Sequence, residues 1–323
     1  MPSKILLAAI SLAAIAVYLL LSTYLTPDYV IKVSQVPNLP HIDAKMYDQV
    51  KTFLLFIGYN RSRHTLLASL LDAHPNVIIA NDFNILKEWI ENPLLTLRKK
   101  YYVYELLLAK SHYDVMFGVR SRPVGNKPVK YHYNVHDEWQ GTFNGSIQVI
   151  GDKKAAQASG ILINPEGIDS IKKLEQKLGV QVKFIHVIRN PFDNIATMAL
   201  RRANERKKGQ EILKVNYSKV LDGSISSYGR LAQGSFEVQK KFPGRVHDVA
   251  SIDVMMETRK TLLKICDFLE ITCTATYLHD CASIVDPRPS QTRHNVEWTG
   301  KQIKRVQSLI AQYPFLQRYS FED

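Results

Sequence analysis

Val50 to Asp82, VKTFLLFIGYNRSRHTLLASLLDAHPNVIIAND, decides how this chain is read. The apolar run Val50–Ile57 has the length and density of a buried strand and stops at Gly58. The polar turn Tyr59-Asn60-Arg61-Ser62-Arg63-His64-Thr65 follows, and an amphipathic helix is predicted over His64–Asp72. A second short apolar run, Val77–Ala80, predicts another buried strand, and an acid, Asp82, lies just beyond it. A strand that turns at once into a helix points a row of backbone N–H groups at whatever sits above the turn, which is an anion site. The turn itself holds cations and hydroxyls and no acid. An oxyanion site with a carboxylate beyond the next strand suggests group transfer from an anionic donor.

The turn is not a nucleoside triphosphatase loop. In the pattern G-x-x-x-x-G-K-[ST], Gly58 and Thr65 fit the two ends, but Arg63 and His64 stand where the second Gly and the Lys belong. A second motif lies downstream in Phe184-Ile185-His186-Val187-Ile188-Arg189-Asn190-Pro191-Phe192-Asp193, continuing to Thr197. Asn190 suits an N-cap, Pro191 the first helical position, and Asp193 the positive end of the dipole. Positions 190, 193 and 197 share a helix face, so Thr197 is expected near the guanidinium of Arg189, which ends the preceding strand. An Arg fork and a hydroxyl converging on one point suit a phosphate.

Together these stretches resemble the sulfotransferases that use 3′-phosphoadenosine 5′-phosphosulfate (PAPS). The donor loop of that family reads roughly [KR]-S-G-[TS]-[TS] after a strand, and here it is Arg61-Ser62-Arg63-His64-Thr65. Arg63 in place of Gly is a departure: its side chain either crowds the phosphate or binds it. The continuation Leu66-Leu67 to Leu71-Asp72-Ala73-His74-Pro75 is most similar to tyrosylprotein sulfotransferases and related Golgi and bacterial enzymes. Arg189 with Thr197 eight residues later matches the family's 3′-phosphate motif, and Gly151-Asp152-Lys153 resembles its G-D-K segment, in which the Lys approaches the transferring group. Asp82 aligns, counting from Arg61, with a catalytic Glu, one methylene longer. The resemblance implies that Asp82 takes the acceptor proton, with His64 as the rival base, and that Lys153 neutralises charge on the bridging oxygen. It also implies contacts to PAPS from Arg61, Ser62, Arg63, His64, Thr65, Arg189 and Thr197, and from Ser290 and Arg293 in a late loop. The fold implied is one α/β domain of P-loop type, a central parallel sheet flanked by helices. No metal is expected in the chemistry. The acceptor would be a hydroxyl, on a glycan first and a protein tyrosine second. A P-loop kinase and a non-catalytic anion-binding lumenal protein are the readings of another class.

Composition agrees with an anionic donor. The chain has 323 residues with Lys plus Arg 42 against Asp plus Glu 30. No zinc-finger spacing or RNA-recognition signature argues for nucleic acid. Residues 5–25 form an uncharged apolar run long enough to cross a bilayer, with Lys4 before it and Asp28 after. This favours a type II signal anchor over a cleaved signal peptide. The expected organisation is a tail over 1–4, an anchor over 5–25, a stem over 26–48 and a lumenal domain over 49–323, in the Golgi membrane. Asn144-Gly145-Ser146 and Asn216-Tyr217-Ser218 are glycosylation sequons; Asn60-Arg61-Ser62 also matches but should be shielded by its loop. Of three cysteines, Cys273 and Cys281 are the plausible bridge, and Cys266 reads as a core residue of a helix. The aromatic and basic stretch 118–145, with Arg120, Arg122, Lys127, Lys130, Tyr131, Tyr133 and Trp139, reads as an irregular or hairpin insertion, and its mix of cations and aromatics fits either a solvated face or sulfated or acidic sugars.

Overall fold

The computed structural model describes residues 44–120, 122–124, 127–207 and 217–323. All fall within one compact unit, Ala44–Asp323. Its centre is a five-stranded sheet in the order β2-β5-β1-β6-β7, parallel throughout. The strands are β1 (Thr52–Gly58), β2 (Val77–Asn81), β5 (Val149–Lys153), β6 (Gln181–Ile188) and β7 (Val246–Ala250). β3 (Arg122–Val124) and β4 (Lys127–Tyr131) form a separate antiparallel hairpin inside the 118–145 insertion. Every residue of β1, β2 and β5 is buried, as strands covered by helices on both faces require. The chain works outward from β1 to β2 on one side and later to β6 and β7 on the other. The carboxyl end of β1 is therefore the switch point, where open sheets of this kind hold ligands.

The helix over His64–Asp72 (α1) follows β1 as expected, and it buries Leu66, Leu67, Leu70 and Leu71 against the sheet. The stretch after β2 is three helices: α2 (Ile85–Glu91), α3 (Pro93–Leu97) and α4 (Tyr101–Met116). Asn92 caps α3 by accepting from the Leu94 amide. β5 runs further than the apolar residues Ile147–Ile150 announce. Gly151, Asp152 and Lys153 continue the ladder with β1 and β2 and do not leave the sheet. Gly151 permits this, because a Cβ there would sit 1.9 Å from the Leu54 carbonyl oxygen of β1.

Helix α5 (Ala155–Ile161) leaves β5, α6 (Pro165–Leu178) precedes β6, and α7 (Pro191–Lys207) follows it. The long helix α8 (Tyr217–Lys241) crosses α5 closely. Its Gly234 is where the two helices meet: a Cβ would lie 2.0 Å from the Ser159 carbonyl oxygen. β7 is followed by α9 (Ser251–Met256), α10 (Thr258–Leu269) and α11 (Ala275–Ser283), and α12 (Gly300–Gln312) begins with a Thr299–Gln302 capping box.

The disulfide joins Cys266 of α10 to Cys273 in the turn after it, with Cα atoms 6.2 Å apart, in place of the expected Cys273–Cys281 bridge. Cys281 faces the core from α11 as a buried thiol directed at the Leu70 carbonyl. Burial pushes that thiol well above its ordinary range. Arg120 is not available to an acceptor. It is buried against Asp72, whose carboxylate also accepts from the Ser111 hydroxyl and the Ile79 and Gly141 amides. Asn144 is exposed, and so is Asn60, where shielding was expected; Asn216 lies outside the described residues. The tail, anchor and stem readings fall almost wholly outside them too. Among the described residues no helix is long and apolar enough to cross a membrane.

Candidate active site

The loop between β1 and α1 is held in a left-handed conformation at two positions, Arg61 (φ 70°) and Arg63 (φ 72°). The second explains why glycine suits that position: a residue with a Cβ pays about 1 kcal/mol there. Arg63 takes the N-cap position of α1 and makes no side-chain cap; its carbonyl accepts from the Leu66 amide at 3.1 Å, and no N-cap side chain covers the amides of the first turn. The loop is pinned from below. The Gly58 amide donates to Ser159 Oγ at 2.8 Å, the Ser62 hydroxyl donates to the Tyr59 carbonyl at 3.1 Å, and Asn194 Nδ2 donates to the Asn60 carbonyl at 2.8 Å.

On the β2–β5 side the strand ends bring Asp82, Lys153, Thr65 and His64 around one small polar pocket, which Asn60, Arg61, Lys154 and Gln157 complete. Lys153 is only 1% exposed. Its Nζ lies 3.0 Å from Asp82 Oδ1 and donates to Thr65 Oγ1 at 3.1 Å. Lys154 reaches the same carboxylate oxygen at 3.5 Å. Burial pushes the Lys153 ammonium below its usual range, and Asp82 opposes that. For Asp82, partial burial raises its pKa, but Lys153 and Lys154 outweigh this and hold the carboxyl below the usual range. Burial and the nearby Lys153 charge bring His64 down to about 3, so it is a neutral imidazole at physiological pH. Its Nδ1 lies 3.1 Å from the Ser62 hydroxyl, which already donates to Tyr59; Nδ1 therefore carries the proton and Nε2 a free lone pair.

Asp152 is a functional position that the sequence reading quoted but left without a role. It reaches from β5 to accept the amides of Phe83 (3.2 Å), Asn84 (2.7 Å) and Ile85 (3.0 Å), and so caps α2. Asp82 does not fill that cap. It stands at φ 60° with its amide on the Lys153 carbonyl and its side chain half exposed above the pocket. Burial raises Asp152 to about 6 despite the three amides.

On the β6 side Arg189 Nη1 donates to Thr197 Oγ1 at 2.8 Å, the approach that the spacing predicts. Asn190 accepts from the Phe192 amide at 3.0 Å and starts α7 with Pro191 behind it. The other guanidinium nitrogen donates to the Ser290 carbonyl at 2.8 Å and to Thr292 Oγ1 at 2.9 Å. Thr292 was missed, although it lies between the predicted Ser290 and Arg293; nothing local marks it. Burial, with Arg63 and Arg293 nearby, lowers Arg189 to about 10 even though Asp193 opposes the shift. Ser290 thus contributes its carbonyl. Arg293 is buried in an ion pair with Asp193 (3.1 Å), and its amide donates to the same carboxylate. Arg63, Arg189 and Arg293 still line one cavity of about 370 Å³, whose walls include Ile252, Met255 and Pro289. The Arg189 guanidinium also contacts the Arg61 carbonyl at 3.4 Å, so the two motifs adjoin. Among the described residues no group of three metal-binding side chains occurs.

Solved structures with a similar chain course include sulfotransferases, and a Candida albicans thymidylate kinase shares 11% identity over 70% of this chain and 96% of its own (TM-score 0.28). The sulfotransferase domain of the Synechococcus PCC 7002 olefin synthase shares 14% identity over 81% of this chain and 94% of its own (TM-score 0.49). A Mycobacterium avium sulfotransferase shares 10% over 84% and 77% (TM-score 0.49), and a mouse sulfotransferase complexed with PAP shares 13% over 84% and 89% (TM-score 0.46). No curated protein matches the chain. The profile of the sulfotransferase family matches residues 54–275, well over half of the sequence, and spans the loop, the Lys153 pocket and the Arg189 motif. By that match the chain belongs to the sulfotransferase family.

Proposed function

We propose that this protein transfers a sulfuryl group from PAPS to a hydroxyl of a glycan. The observation that carries the reading is the adjacency of two anion sites. One is the left-handed loop with the buried Lys153, and the other is the Arg189–Thr197 pair, joined through the Arg61 carbonyl. A nucleotide with both a 5′-phosphosulfate and a 3′-phosphate presents two anions at one ribose. The cavity walls Ile252, Met255 and Pro289 offer apolar surface beside the arginines for a base. The residues present fit such a donor.

PAPS supplies an activated sulfuryl group on a phosphate leaving group. The chain supplies position and charge. Amides of the loop and of the first turn of α1 bind the 5′ end, and Arg189 and Thr197 bind the 3′-phosphate. Lys153 is already desolvated, so its charge acts in a low-dielectric setting and stabilises charge developing on the leaving oxygen. Asp82 stands on the open side of the pocket and accepts the proton of the attacking hydroxyl.

The glycan acceptor finds support in a second groove of about 570 Å³ that shares Asn60, Ala156 and Gln157 with the reactive pocket. Amides and hydroxyls dominate its polar lining, including Asn84, Asn164, Ser170 and Ser227, and its charges balance as Lys87 and Arg230 against Glu91 and Glu166. Such a wall suits many neutral hydroxyls better than it suits an acidic peptide around a tyrosine. We further propose that residues 5–25 anchor the chain, with the folded unit in the Golgi lumen.

The test is a calorimetric titration of PAP and of ATP, followed by transfer assays on neutral glycans and on tyrosine peptides. We expect tight PAP binding, weak ATP binding and turnover on the glycans. Tight ATP with weak PAP removes the reading in favour of a kinase, and turnover confined to peptides removes the glycan. Arg189→Ala should weaken PAP by about 2–3 kcal/mol, the scale of a charged hydrogen-bonded contact, and leave adenosine 5′-phosphosulfate nearly unchanged.

A further inference from the structure

Helix α4 is apolar on both sides. Its inner face buries Val103, Tyr104 and Leu107. Its outer face, at spacings of four and three residues, carries Tyr102, Leu106, Ala109, Tyr113 and Met116, all exposed to solvent. An ordinary surface helix places polar residues on that line. The apolar surface continues past both ends, with Leu97 79% exposed before the helix and Phe117 70% exposed after it. Large contiguous apolar patches on a soluble fold mark a surface that meets something else.

The cations identify what it meets. Arg98, Lys99 and Lys100 stand at the start of α4, and among the described residues none of them is ion-paired. Arg98 lies over the Tyr102 ring and Lys100 over the Tyr101 ring. The acids of the helix are already engaged, Glu105 by the Tyr47 hydroxyl and Asp114 by Lys110. Tyrosines interleaved with Lys and Arg beside an aliphatic stripe match the interfacial layer of a bilayer, where the rings sit at headgroup level and the cations meet phosphates. A second copy fits less well. Tyr, Ala and Tyr along the seam make poor knobs for helix pairing, where Leu or a β-branched residue would be expected. The chain also enters the folded unit here. The turn Ala44–Tyr47 seats Tyr47 on Tyr101 and Tyr104, and the apolar run 5–25 is separated from it only by residues 26–43, which span at most ~60 Å.

We infer that the outer face of α4, with Leu97 and Phe117, lies on the surface of a phospholipid bilayer. The inference draws part of its support from the anchoring reading, so the experiment separates the two. The full chain is reconstituted in phosphatidylcholine–phosphatidylserine vesicles with a single environment-sensitive fluorophore on an introduced cysteine, at Ile15→Cys, Phe117→Cys or Gln307→Cys. Natural cysteines do not compete, since two are bonded and Cys281 is buried. Lipids with a nitroxide near the headgroup should quench the Phe117 label at least about threefold more than the Gln307 label on the exposed side of α12. Adding Tyr113→Glu should return the Phe117 label to the level of Gln307. Equal, weak quenching at both sites overturns the inference whatever Ile15 does. Energy transfer between Phe117 labels on different copies, lost when the vesicles are diluted with lipid, assigns the face to a second copy and overturns it too. An Ile15 label whose emission stays that of an aqueous setting, beside a quenched Phe117 label, defeats the anchor and upholds the face.

Discussion

At the scale of single residues, the reactive pocket sets two weak bases, Asp82 and His64, beside Lys153 and Lys154. Asp82 is ionised at all but acid pH because two lysines hold it, and His64 is neutral with a free Nε2. Asp82→Asn keeps the shape and removes the basicity, so turnover should fall by roughly 10²–10⁴ while PAP affinity stays level. His64→Asn should weaken PAPS binding as well as turnover, since His64 belongs to the loop that binds the anion. If D82N stays near the parent activity and H64N is inactive with normal donor affinity, the proton passes to His64. Arg63 offers a sharper test of loop against ligand. Arg63→Gly relieves a left-handed backbone and should stabilise the fold by up to about 1 kcal/mol. Because Arg63 lines the donor cavity, the same variant should bind PAP more weakly. A gain in melting temperature with unchanged PAP affinity would assign the side chain to solvent.

At the scale of elements, Asp152 ties β5 to α2 and thereby fixes where Asp82 and Lys153 stand relative to each other. Its carboxyl titrates near 6 in the folded chain against an ordinary 3.8. The folded state thus holds the proton more tightly than the unfolded one. This contribution is complete below about pH 4 and is lost as pH rises through about 6. The melting temperature of the parent, measured relative to Asp152→Asn, should therefore climb as pH is lowered from 7 to 4.5. A difference that stays flat over that window would place the ionised carboxylate at no disadvantage among its three amides. This element also shows what a sequence can carry. Arg189 and Thr197 were legible because one helix face and one strand end bring them together, and the strand–loop–helix of β1 and α1 was legible from its apolar periods. The reach of β5 was not, because Gly-Asp-Lys-Lys has the composition of a turn and only neighbours on both sides make it a strand. The cap from Asp152 and the Thr292 contact depend on segments that meet only after folding, whereas the Cys266–Cys273 pairing is local, across the end of α10, and was passed over because Cys266 reads as a core residue of that helix.

At the scale of the molecule, the β1 switch point divides labour between two sides. Towards β6 and β7 lies the arginine-lined cavity, and towards β2 and β5 the Lys153 pocket opens into the amide-rich groove. Substitutions should separate accordingly. Gln157→Leu, at the junction of pocket and groove, should raise KM for a glycan acceptor about tenfold, the cost of one or two lost hydrogen bonds, with PAP affinity unmoved. Equal losses for donor and acceptor would mean that the two sides are not independent.

The contacts of Arg189 have a further consequence. Its fork is never idle, since the Ser290 carbonyl and the Thr292 hydroxyl occupy it while Thr292 also donates to the Asp193 carbonyl. The chain carries its own competitor for the guanidinium. A phosphate that takes the Nη2 side of Arg189 must evict part of residues 290–292, so the measured affinity of a nucleotide bound there is a difference between two ligands, one of them covalently attached. Shortening or loosening that segment would tighten nucleotide binding, and the exchange protection of its amides would report occupancy of the site without any view of the nucleotide itself.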